Sequence, residues 1–201
     1  MPNTVHQLAP LDKDRALKQR IIEVFERQSK AVGPRGVVIT ELVTELGISS
    51  KTLYRHFATK ADIVNELMNS WAESWFNRQQ QGFDEGHSAK QRIETMAIHW
   101  IEHTGQFSPQ FWLQLERDFP AAYTIHQQQH QAFLERSRQN LSASIRDDLN
   151  ADLALSGLMA LITHASDSDL CNQLNMTRKD SLIEIIDLWA KGALRPELLN
   201  D

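Results

Sequence analysis

Apolar residues recur at helical spacing along nearly the whole chain. Leu17, Ile21, Val24, Phe25 and Val32 form one row, and Leu42, Val43 and Leu46 a second. Leu53 and Phe57 form a third, and Ile63 and Leu67 open a fourth that continues toward Trp75. Beyond it the same periodicity predicts helices at about 88–104, 109–117, 120–143, 151–166 and 178–193. No run alternates apolar and polar as a strand would. The expectation is an all-α fold of about nine helices. Residues 1–11 hold two prolines and little periodicity, and read as a loose arm. Gly33-Pro34-Arg35-Gly36 should end the first helix, because proline cannot continue it and glycine can take a left-handed exit.

The stretch from Val37 to Met68 carries the most information. Leu42, Val43 and Leu46 give a short helix its apolar face, and Gly47 can supply the positive φ of a tight turn. Ile48 can then plug the space between two helices, and Ser49 or Ser50 can cap the next one. Thr59 is placed to cap a longer helix that runs through Ile63 and Leu67. Two short helices around a glycine turn predict a helix-turn-helix, a motif whose second helix enters the DNA major groove.

Charge sharpens that picture. The chain of 201 residues carries a net charge of −5, which at first sight disfavours a nucleic-acid partner. Residues 1–70, however, hold ten Lys/Arg against eight Asp/Glu, and the remainder eleven against eighteen. A positive head on an acidic body suits a protein that touches phosphate with one end only. With one cysteine, Cys171, there is no intramolecular disulfide and no cysteine cluster for zinc. No signal-type segment and no run of ~18 apolar residues occurs, so a cytoplasmic location away from the membrane is expected.

The run LGISSKTLYRHFATKADIV resembles the DNA-binding domain of the TetR/AcrR (tetracycline-repressor-type) regulators. The resemblance covers about residues 12–70, while the remainder fits only as a helical architecture. It implies a helix-turn-helix domain over residues 1–59 and a ligand-sensing and dimerisation bundle over 60–201, linked by the helix that starts near Lys60. It implies base or groove contacts from Ser50, Lys51, Thr52 and Tyr54. Arg55 and His56 would lie at phosphate or the groove edge, and Lys60 would be a phosphate anchor. Short polar residues and cations at the start of a recognition helix agree with that assignment on physical grounds. Val37-Val38-Ile39-Thr40 departs from the Thr/Ser–apolar–Arg pattern common in the family, and Thr40 is the candidate hydroxyl there. The implied function is that of a homodimeric repressor released from a palindromic double-stranded operator by a small molecule.

The second half carries candidate ligand-binding residues: Trp71, Trp75, Met96, Trp100, His103, Phe107, Phe111, Trp112, Tyr123, His126 and Phe133. Their aromatic character predicts a largely apolar or aromatic ligand, although each could equally be core. The last two helices carry Leu155, Leu158, Met159 and Ile162, and Leu182, Ile185, Ile186 and Trp189, which would form a two-fold four-helix interface. The competing readings are a DNA binder without ligand control and a metal-dependent enzyme. The enzyme would use His99 with His103 and His126 with His130, both pairs four apart. Against an enzyme stand the lack of an H-E-x-x-H arrangement at either pair, of a Gly-x-Ser-x-Gly elbow and of a phosphate loop. No cofactor and no metal are expected.

Overall fold

The computed structural model describes residues 10–82 and 88–199. Among the described residues there are ten α-helices and no strand. A lone antiparallel bridge pairs Ile145 with Leu194. The chain divides into two compact units, one of residues 1–72 with 106–127 and one of 73–105 with 128–201.

Unit 1 contains α1 (Pro10–Gly36), α2 (Ile39–Leu46), α3 (Ser50–His56), the first half of α4 (Lys60–Gly82), α6 (Pro109–Asp118) and the start of α7 (Pro120–Leu141). Its core holds Ile21, Phe25, Leu42, Leu53, Ile63 and Leu67, all almost fully buried. The predicted rows therefore meet one another. The expected boundary between residues 59 and 60 differs from this division, because α6 packs on α1 through Phe111, Gln114 and Leu115.

Unit 2 contains α5 (Ala89–Thr104), the remainder of α4 and α7, α8 (Ala151–Ala165), α9 (Ser168–Leu174) and α10 (Arg178–Ala193). Here α10 packs between α5 and α8, burying Leu182, Ile186 and Trp189 against Ile93, Leu158 and Ile162. The Trp189 indole donates to the Ala154 carbonyl at 3.0 Å, and Lys90 Nζ reaches Asp187 Oδ1 at 2.5 Å. The periodicity did not predict α9. It is a seven-residue helix between an Asp167 N-cap, which accepts from the backbone N–H of Asp169 and Leu170, and a left-handed Asn175. Cys171 lies on α9 with its thiol buried and donating to the Ala165 carbonyl, the environment of a packing residue.

Candidate DNA-reading surface and cavity

Local chemistry builds the helix-turn-helix as its sequence requires. α2 ends on Gly47 at φ 67° and ψ 32°, whose N–H donates to Thr44 O, while the Ile48 N–H donates to Val43 O. Ser49 caps α3, accepting from the Thr52 N–H at 3.1 Å, and its hydroxyl also meets that of Thr52 at 2.9 Å. Thr59 and Asp62 cap α4 reciprocally. Leu53 faces inward, whereas Ser50, Lys51, Tyr54 and Arg55 face solvent. Thr52 is half-buried. Thr40 is exposed in the first turn of α2, and the cap position itself is Val38, which has no side chain able to cap.

Two expected phosphate contacts sit differently. The His56 side chain is buried, with Nε2 3.5 Å from Asp14 Oδ1 on α1. Position 56 lies three residues beyond Leu53, so it shares the inward face of a short helix. In this structure it faces α1 rather than solvent. Lys60 donates to the carbonyls of Arg35 at 2.7 Å and Val37 at 2.6 Å, which occupies two of its three N–H groups. Partial burial, and then the neighbouring Arg35 charge, lower its pKa. These two bonds tie α4 to the link between α1 and α2 and leave one N–H of Lys60 over.

The same link reveals a residue that the sequence reading missed. Gly33, at φ 74°, breaks α1, and the buried Gln114 of α6 fills the break. Its Oε1 accepts from the Arg35 N–H at 2.9 Å and its Nε2 donates to Val32 O at 3.4 Å. A Cβ on Gly33 would collide with the Gln114 side-chain amide. The signal was a polar residue on the core face of α6, three beyond Phe111.

The expected aromatic pocket separates into two clusters. In unit 1, Trp112 packs on Trp71 and His126, with ring centroids 5.7 and 4.6 Å away, and Phe107 stacks on Phe111 at 4.1 Å. Tyr123 borders His126 at 6.1 Å. In unit 2, Trp75 stacks on His103 at 5.2 Å, and Trp100 lies parallel to Phe133 at 5.5 Å. Within unit 2, α5, α7 and α8 enclose a cavity of about 440 Å³. Of the eleven expected residues, Met96, Trp100 and Phe133 line it. Trp75 and Phe111 are covered by protein on all sides, and so are part of the core rather than of a binding wall. Among the described residues, no three His, Cys, Asp or Glu side chains gather as a metal would need.

The expected dimer rows also require correction. Leu155, Leu158, Ile162, Leu182, Ile186 and Trp189 lie in the core of unit 2, because α10 packs on both α8 and α5. Met159 and Ile185 remain partly exposed. Outward instead lie Leu161 of α8, Leu174 of α9 and Ile185 and Leu188 of α10, which border one groove. Leu174 is 54% exposed and Leu188 66%.

No helix among the described residues is long and apolar enough to cross a membrane. No curated protein matches the chain. Among solved structures, a transcriptional regulator from Saccharomonospora viridis in complex with choline is similar at 20% identity and TM-score 0.71, covering 90% of this chain and 99% of that one. E. coli NemR in its reduced form is similar at 13% identity and TM-score 0.68, covering 90% and 98%. A TetR-family regulator from Mesorhizobium loti is similar at 16% identity and TM-score 0.64, covering 94% and 100%. These likenesses show a shared fold. The family model described as bacterial regulatory proteins, tetR family, matches residues 21–67, the segment that holds the capped turn and the exposed face of α3. Residues 21–67 therefore form a DNA-binding domain of the tetR type, and the chain that carries it is a DNA-binding transcriptional regulator.

Proposed function

We propose that the protein is a homodimeric repressor whose two α3 helices read a two-fold symmetric operator and which leaves that operator when a small molecule occupies the cavity of unit 2. The exposed face of α3 carries the reading. Ser50, Lys51, Tyr54 and Arg55 project from a helix whose turn and cap are fully bonded, leaving their polar groups for DNA. One short helix reads few bases, so two copies spaced about 34–36 Å apart are needed to reach successive major grooves. The outward groove bordered by Leu161, Leu174, Ile185 and Leu188 offers an apolar face for the second copy. α4 and α7 each supply residues to both units. A ligand that favours one setting of these helices biases the DNA-reading unit by its differential affinity, of which ~1–3 kcal/mol changes operator affinity roughly 5–150-fold.

Operator selection from randomised DNA tests this. An inverted repeat should emerge, with half-site centres about one helical turn apart. Lys51→Ala should change the preferred bases, by about 1–3 kcal/mol at the affected position. Arg55→Ala should weaken all sites alike and lower the salt slope by about one per subunit. A selection that enriches no site, or substitutions that alter base preference equally, would overturn the reading.

A further inference from the structure

We infer that the cavity of unit 2 selects a neutral amphiphile, with an aliphatic or aromatic body and one hydroxyl or carbonyl held by Ser137. This rests on the ligand-controlled reading above and adds the chemistry of the ligand. At about 440 Å³ the cavity falls within the ~300–1,000 Å³ range of small-molecule sites.

Its walls differ from end to end. α7 and α8 are consecutive and are bridged where Arg138 meets Asp152 at 3.3 Å, so residues late in α7 face those early in α8. Ser137, Arg138, Asp152 and Ser156 gather at that end. Phe133 and Trp100, with Met159 and Ile162 one to two turns further along α8, make the other end apolar. Methionine there adapts its shape to an irregular body.

Two observations choose the head group. Ser137 Oγ is buried, its residue 9% exposed, and has no hydrogen-bond partner in the protein. A buried hydroxyl in that state lacks the bond such groups almost always make, and it can supply either a donor or an acceptor. The two charged groups that line the cavity are of opposite sign and pair with each other, Arg138 with Asp152 at 3.3 Å. An anion or cation would lose its hydration without gaining an uncompensated counter-charge. A neutral polar group gains the Ser137 bond and loses little.

Calorimetric titration of the full-length protein with four ligands of matched body tests this: 4-butylphenol, butylbenzene, 4-butylbenzoate and (4-butylphenyl)trimethylammonium. The phenol should bind about tenfold tighter than butylbenzene, the scale of one net hydrogen bond, and tighter still than either ion. Ser137→Ala should remove that tenfold advantage and leave butylbenzene unchanged. Met159→Trp, which fills the cavity from a partly exposed position, should abolish binding of all four. Equal or tighter binding of an ion, no effect of Ser137→Ala, or no binding of the phenol would each overturn the inference. Operator titration with the phenol separates the two claims. Ser137-dependent binding that leaves operator affinity unchanged removes ligand control and keeps the ligand class. Operator release by other compounds alone does the reverse.

Discussion

His56, Lys60 and Gln114 show how far single residues could be read in advance. The capping serines and the glycine turn were legible because their chemistry acts within a few residues of sequence. His56 and Lys60 were not, because each takes its partners from α1 or the link after it, far away in sequence. His130 lends itself to a pH measurement. Its ring packs on Trp100 at 5.3 Å, and burial holds its pKa below the ordinary 6.5. Between its folded value and 6.5 the unfolded chain therefore binds more protons than the folded one, and stability rises with pH. The contribution is complete above about 6.5 and is lost as pH falls from there through the folded value. Thermal melts should show a lower Tm at pH 5 than at pH 7, and His130→Gln should flatten that difference. An unchanged slope in the variant would show that other groups set it.

At the scale of elements, long periodic helices were predictable and short or broken ones were not. α9 has too few residues to establish a period, and only its Asp167 cap and Asn175 exit mark it. α1 ends in a break whose stability comes from α6, which no local pattern announces. That joint can be tested by a mutant cycle. Gln114→Ala leaves the Arg35 N–H and the Val32 carbonyl without their side-chain partner and should cost about 1–3 kcal/mol. Gly33→Ala adds both a positive-φ penalty of about 1–3 kcal/mol and a collision with the Gln114 amide. In the double variant Gly33→Ala with Gln114→Ala the collision disappears, so denaturant unfolding should give a loss smaller than the sum of the singles. Strict additivity would mean that the two side chains do not meet as described.

For the whole molecule, the architecture and the tetR-type DNA-binding domain were legible. The surface that remains outward was not, because periodicity gives a helix an apolar stripe without saying which neighbour covers it. α8 and α10 each carry more apolar surface than one stripe. The described structure buries Leu158 and Ile186, leaving Leu161, Ile185 and Leu188 outside. Ile185→Glu with Leu188→Glu should therefore yield folded monomers in light scattering, since neither residue is fully buried. A folded variant that remains dimeric would place the interface elsewhere. The outward leucines also set how occupancy responds to the amount of protein. If the groove closes only against a second copy, pairing and operator binding share one mass-action balance. Below the dimer dissociation constant, operator occupancy then rises with the square of protein concentration, so halving synthesis empties the site about fourfold. Dose, and not the inducer alone, becomes an input to the switch.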